Sequence, residues 1–247
     1  MTELFLLLDR PLHSPMADDL DPPGLAGLAG LVVDAARIAP AQCLPLPSPV
    51  AALCGAAPGA CADWDHEAAP LRVVDQGLDA CVRLRDAHPT LRWLPRLIAY
   101  RAAVSYRMSN YRGEGFSFYT PDPGTIQDHR VTDGDHSLTV VLQRARALGF
   151  DRLCLHARDA AQLGNGLDLD LLECARRDFP EGLWISGGAT QLHHLENLTR
   201  EGGAAGLVIG TELLQRADIA TLTQALAPPR PPEVPITIAP PRAHVTG

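Results

Sequence analysis

Apolar residues along this chain fall in short blocks, and several blocks end on an acidic residue or a glycine and are followed by a stretch with helical spacing. The first block, Leu4–Leu8, stops at Asp9-Arg10-Pro11 and predicts a buried strand. Residues 11–23 are rich in Pro and Asp and predict loop. A short helix is expected at Leu25–Ala29, then a second strand at Leu31-Val32-Val33 ending on Asp34. Residues 39–70 mix Pro, Ala, Gly and Cys, with one helix expected around Val50–Leu53. A connection this long is unusual inside a compact domain. Leu71–Val74 predicts the third strand, ending on Asp75, and residues 78–87 have helical spacing. Leu94–Ala99 predicts the fourth strand, although Pro95 weakens it. The run Tyr100–Arg112 interleaves Tyr and Arg. It reads as an amphipathic helix with snorkelling arginines, or as a contact for a stacked base or a phosphate.

The pattern is clearer in the second half. Gly115–Tyr119 predicts the fifth strand. Residues 136–148 form an amphipathic helix closed by Gly149, a normal residue just past a helix end. Leu153–His156 predicts the sixth strand, and Asp168–Arg177 a helix opened by an Asp cap. Leu183–Ile185 predicts the seventh strand and runs into Ser186-Gly187-Gly188. A helix follows over 190–201 with Thr190 as its cap. Ala205–Ile209 predicts the eighth strand and runs into Gly210-Thr211, before a last helix over 218–226. Strands alternating with helices imply parallel βαβ units. Eight of them predict a closed (β/α)8 TIM barrel over residues 1–227, with a divergent N-terminal half. The 247 residues suit one such domain, which usually takes about 250. The tail, 228–247, holds Pro228, Pro229, Pro231, Pro232, Pro235, Pro240 and Pro241. It is expected to be a mobile extension that does not pack on the barrel.

Composition narrows the function. With 21 basic and 29 acidic residues the net charge is −8, and no segment gathers Lys or Arg. A nucleic-acid partner is therefore not expected. A small phosphorylated metabolite stays open, because a ring of backbone N–H groups can outweigh net charge. The cysteines Cys43, Cys54, Cys61, Cys81, Cys154 and Cys174 form no C-x-x-C pair and read as free, mostly buried thiols. The N-terminus has no basic stretch before its short apolar run, and no run of about 18 apolar residues exists. No membrane contact and a cytoplasmic location are expected. Oligomeric state is not readable.

The candidate chemistry sits at two strand ends. Ser186, Gly187 and Gly188 follow the seventh strand, and Gly210 and Thr211 follow the eighth. Glycines there let N–H groups approach an oxyanion, and a helix start after Thr211 would point its positive end at the same spot. These five residues are the expected phosphate site. The plainer reading makes each glycine only a turn former. His156 stands at the mouth of the sixth strand, while His193 and His194 read as surface residues of the next helix. No pair has metal-ligand spacing, so no metal is assigned.

The stretches ALGFDRLCLHARD (147–159), NGLDLDLLECA (165–175), WISGGATQLHHLENL (184–198) and GGAAGLVIGTELL (202–214) resemble the second half of the histidine-biosynthesis barrels. These are the phosphoribosyl-formimino-AICAR-phosphate isomerase and the imidazole-glycerol-phosphate synthase cyclase subunit (HisA/HisF). The phrases RPLHSP, LVVDA and VVDQG are similar to a divergent subgroup from organisms with methanopterin-dependent one-carbon metabolism. The isomerase's glycine-rich motif after strand three is absent, and Asp75-Gln76-Gly77 stands in its place. The resemblance implies acid/base chemistry by carboxylates at strand ends, for which Asp9, Asp122 and Asp159 are the candidates. If active, Asp9 and Asp159 should project into one mouth; the plainer reading makes all three loop caps or solvated charges. The implied function is isomerase- or lyase-type chemistry on a phosphorylated sugar-like or heterocyclic metabolite. The alternative is a degenerate barrel that binds a phosphorylated ligand or a protein partner without catalysis. No cofactor is assigned, and flavin on the same phosphate cradle is a third reading.

Overall fold

The computed structural model describes residues 2–8, 28–35, 37–38, 50–54, 71–105, 125–201 and 203–227. Their strands are β1 (Glu3–Leu8), β2 (Gly30–Asp34), β3 (Val50–Cys54), β4 (Leu71–Val74), β5 (Arg92–Ser105), β6 (Thr125–Val131), β7 (His136–Ser137), β8 (Leu153–Ala157), β9 (Leu183–Ser186) and β10 (Gly206–Ile209). Eight of them are parallel neighbours in the order β1-β2-β3-β4-β5-β8-β9-β10. Glu3–Leu6 of β1 pair with Gly206–Ile209 of β10, and the ring closes. The expected (β/α)8 barrel is therefore observed.

Alternation of side chains across each strand splits the core in two. Phe5, Val32, Leu53, Val73, Leu94 and Trp184 point into the barrel. Leu6, Val33, Val74, Leu97, Leu155 and Ile185 point outward against the helices. Inside, the Phe5 ring stacks on Trp184 with centroids 4.0 Å apart. Gly206 lies between them on β10, and a Cβ there would stand 2.8 Å from the indole.

The helices are α1 (Leu78–Ala87), α2 (Leu138–Ala147), α3 (Arg158–Leu163), α4 (Leu169–Arg176), α5 (Leu192–Arg200), α6 (Thr211–Leu214) and α7 (Ile219–Ala225). On α2, Leu138, Val141, Leu142 and Ala145 are buried at helical spacing, and Gly149 just beyond has φ 80°. Asp168 caps α4 by accepting Leu171 N–H at 3.1 Å, and Asp218 caps α7 through Thr221 N–H at 2.7 Å. Each cap contributes about 1 kcal/mol.

Several expectations are corrected. Val50–Leu53 belongs to strand β3, not to a helix. A short apolar run buried on both faces has no alternation to distinguish it from a helix turn. Leu71–Val74 is then the fourth barrel strand, and the fifth is β5. Gly115–Tyr119 lies outside the described residues, and the ring closes without it. Tyr100–Ser105 are extended, so the helix expected from Tyr100 is not formed there. The reason is tertiary: past the barrel rim β5 pairs antiparallel with β6, from Ala99 with Val131 to Ser105 with Thr125. Leu28 and Ala29 are not helical, and Ala29 N–H is tied to the Leu4 carbonyl at 2.8 Å. Helix α5 begins two residues after Thr190, with Gln191 at its cap. Residues 11–23 and the tail from Pro228 lie outside the described residues. Among the described cysteines Cys81 and Cys154 are free and buried, while Cys174 is free and exposed. No helix of the described residues is long and apolar enough to cross a membrane.

Candidate functional site

The C-terminal strand ends enclose a cavity of about 360 Å³. Its floor is apolar: Leu7, Val32, Leu53, Val73, Trp184 and Val208, all inward-facing positions. Arg96 from β5, His156 from β8 and Ser186 from β9 supply polar groups. The glycine turns after β9 and β10 form one wall, with Glu212 at its rim.

The turn after β9 is shaped by its surroundings. Gly187 and Gly188 have φ 96° and 91°, a region side chains disfavour. A Cβ on Gly187 would stand 2.6 Å from the Ala157 carbonyl oxygen, and one on Gly188 would overlap the Gly166 carbonyl. Gly166 N–H donates to the Gly188 carbonyl at 3.0 Å. The Thr190 hydroxyl donates to the Gly164 carbonyl at 2.6 Å. The α3–α4 connection that receives these bonds is itself anchored. Asp168 accepts two bonds from Arg101, at 2.6 and 3.0 Å, and faces His129 Nε2 at 3.3 Å. Burial opposes ionisation of Asp168, but the hydrogen bonds from His129 and Arg101 outweigh it and hold the carboxyl below the usual range.

The turn after β10 is different. Gly210 has φ −81°, which any residue adopts. A Cβ there would meet only the end of the Glu212 side chain. The exposed Glu212 carboxylate thus lies over Gly210, at the start of the four-residue α6. Among the described residues, the N–H groups of Gly187, Gly188, Ala189 and Gly210 take part in no turn, loop or cap hydrogen bond.

Two polar pairs face the cavity floor. The Ser186 hydroxyl lies 3.3 Å from the Leu155 carbonyl and 3.0 Å from His156 Nδ1, and so ties the imidazole to β9. Burial, reinforced by the Arg96 charge, pushes the His156 pKa down to about 4. Arg96 is held by Asp75 at 3.3 Å. Burial pushes the Asp75 carboxyl up, against the pull of that guanidinium. Burial also raises the Cys154 thiol to about 11, so it keeps its proton at neutral pH.

Of the residues expected from sequence, Ser186, Gly187, Gly188 and Gly210 line the cavity, and Thr211 opens α6 outside the lining. Asp159 also stands outside the lining; it accepts Arg101 N–H at 2.7 Å and Arg158 Nε at 3.3 Å. Asp9 and Asp122 lie outside the described residues. Asp122 loses its place at the end of the fifth strand, because that strand is Arg92–Ser105. Asp75 follows the fourth strand, not the third. His194, expected at the surface, is buried at 5% exposure. Arg96 and Glu212 were missed. Strand phase would have found Arg96, since it lies two residues from inward-facing Leu94. Among the described residues no group of three His, Cys, Asp or Glu could hold a metal ion.

Residues 122–240, just under half of the chain, match the family model described as dihydrouridine synthase (Dus). No curated protein matches the chain significantly. The family match overturns the resemblance to HisA/HisF, and with it the isomerase or lyase reading and the link to histidine biosynthesis or one-carbon metabolism. It gives no better support to the non-catalytic alternative. The signal behind that resemblance, glycine turns after strands seven and eight, recurs among barrel phosphate sites and does not identify one family. The expectation of no nucleic-acid partner is corrected too, because dihydrouridine is a nucleoside of RNA. Net charge describes a whole surface, whereas a single base enters one cavity. The match covers β6 to α7 and so includes both glycine turns.

Proposed function

We propose that this barrel is a dihydrouridine-synthase-like reductase, adding two hydrogens across the C5–C6 double bond of a uracil ring carried by RNA. The observation that carries this reading is the family match over 122–240, which spans β8, β9 and β10, the strands that bring His156, Ser186 and both glycine turns to the cavity. Reduction needs a hydride donor, and flavin mononucleotide is the group whose chemistry supplies one when bound. The residues present fit such a group. The floor offers apolar surface to a flat ring, and the glycine turns offer N–H groups that make no turn, loop or cap bond among the described residues. The phosphate would be held by the N–H groups of Gly187, Gly188 and Gly210, where it would have to displace the Glu212 carboxylate from Gly210.

The chain's own groups then orient a planar heterocycle. His156, neutral at pH 7, presents a ring nitrogen that would accept a ring N–H in the tautomer protonated on Nδ1. Arg96, braced by Asp75, presents donors for a ring carbonyl. An acceptor and a donor on adjacent strands match the alternating C=O and N–H edge of a pyrimidinedione. Trp184 and Val208 exclude water from below.

The test has two readouts. Purified protein should be yellow and release flavin on denaturation. Reduced protein incubated with unmodified transfer RNA should yield dihydrouridine on nucleoside mass analysis. Colourless protein that binds no added flavin and leaves uridine unchanged would refute the reading.

A further inference from the structure

The turn Gly187–Thr190 is braced by a histidine that the proposed chemistry does not use. His194 lies on α5, buried at 5% exposure. Its Nδ1 accepts Thr190 N–H at 3.2 Å. A ring nitrogen that accepts an N–H carries no proton, so the bond exists only with the neutral ring. Protonation would set Nδ1–H against the Thr190 N–H. The Gly188 carbonyl lies beside the same ring and would attract the charged form instead.

The surroundings favour the neutral state. Burial and the neighbouring His193 push the His194 pKa down, and the Gly188 carbonyl opposes them. His193 meets the ring edge-on, with centroids 4.2 Å apart. On the other side of Thr190, the Arg216 guanidinium from the α6–α7 connection donates to the Thr190 carbonyl at 3.1 Å and keeps its charge across the pH range used. The α3–α4 connection contributes only Gly166, where a Cβ would be 3.5 Å from the ring, and the turn contributes the backbone of Gly188 and Thr190. The effect reaches the cavity directly, because Gly188, Ala189 and Thr190 all line it.

We propose that His194 is a positioning residue that sets the turn through its proton: the neutral ring holds Gly187–Thr190 in shape for a phosphate, and the protonated ring releases it. The role of the turn as a phosphate site rests on the preceding reading; the coupling between ring and turn does not.

The experiment compares wild type with His194→Gln, whose Oε1 can accept Thr190 N–H and whose amide can face Gly188 without titrating. Flavin mononucleotide is titrated into each at about pH 8 and about pH 5. The ligand's own ionisation is common to both proteins and cancels. Wild type should lose about tenfold more affinity on acidification than the variant, one pK unit of coupling. Matching pH profiles would overturn the proposal. Hydrogen exchange of the Thr190 amide without ligand separates the two readings. Its protection factor should fall on acidification in wild type and stay level in the variant, even if flavin mononucleotide never binds. Level protection in both overturns the coupling. Should the variant not fold, the wild-type His194 ring and Thr190 amide resonances must titrate at one midpoint, and separate midpoints refute it.

Discussion

The two glycine turns look alike in sequence and differ in what holds them. After β9 the backbone itself requires glycine, because the Ala157 and Gly166 carbonyls occupy the space of a side chain. Behind that turn stands a relay of bonds, from Thr190 to Gly164, and on through the α4 cap to Arg101 and His129. After β10 the backbone asks for nothing special, and among the described residues a Cβ on Gly210 would first meet the movable Glu212 carboxylate. One turn is a rigid wall. The other is covered by the end of one exposed side chain, Glu212. In the proposed site, loss of ligand affinity in a Gly187 or Gly188 variant would mix folding with function, whereas a substitution at Gly210 would leave the fold intact and isolate any effect on binding.

Substitutions can break this contrast in order of expected size. Gly188→Ala should cost about 3 to 5 kcal/mol in urea unfolding, from left-handed backbone plus overlap with Gly166. A cost near zero would mean the α3–α4 connection gives way easily. Asp168→Ala should cost about 3 kcal/mol, since it strips the α4 cap, leaves His129 without its carboxylate and leaves Arg101 with Asp170 alone. Its partner Arg101 reaches solvent, which keeps the figure at the low end of buried pairs. The same variant should raise hydrogen exchange at Gly166 more than at Gly210.

Acid should act on the first turn before the second. His156 bonds Ser186 at the foot of the β9 turn and has its pKa lowered from 6.5 to about 4. Below pH 6.5 the unfolded chain takes up this proton and the folded chain does not. Stability therefore falls as pH drops from about 6.5 towards about 4, by about 2 kcal/mol at about pH 5. Replacing His156 by Gln should flatten that slope in thermal melts, and an unchanged slope would clear His156 of the effect. The smallest change is expected at Gly210→Ala, within about 0.5 kcal/mol of wild type, with Glu212 displaced.

Legibility in the sequence follows the same contrast. Where a helix covers one face of a strand, periodicity and capping residues announce both elements, as with α2, Asp168 before α4 and the strands β8 to β10. Those elements fell within one or two residues of expectation. Val50–Cys54 was misread because five apolar residues in a row have no period. Tyr100–Ser105 was misread because pairing with a distant strand overrode a pattern that suits a helix equally well. Of the site, the glycine turns and His156 were visible as residues at strand ends. Arg96 was hidden by the Pro95 that made its strand look weak, and Glu212 by an acidic side chain where an anion site was expected. The burial of His194 was hidden because its partners, Thr190 and Gly188, reach it from the preceding turn rather than from its own helix face.

Closure of the barrel by β1 against β10 has a consequence for how the chain is made. Glu3–Leu6 finds its partner in Gly206–Ile209, some two hundred positions later. During synthesis the first strand emerges with an apolar body and an open backbone edge, and must wait until nearly all of the ring has been translated. Contacts of such separation make folding slow, and the waiting edge is a template for pairing with other nascent chains. Production at lower temperature, or with extra chaperone, should therefore improve soluble yield more than any stabilising change near the cavity. The bottleneck lies in the order in which the strands arrive.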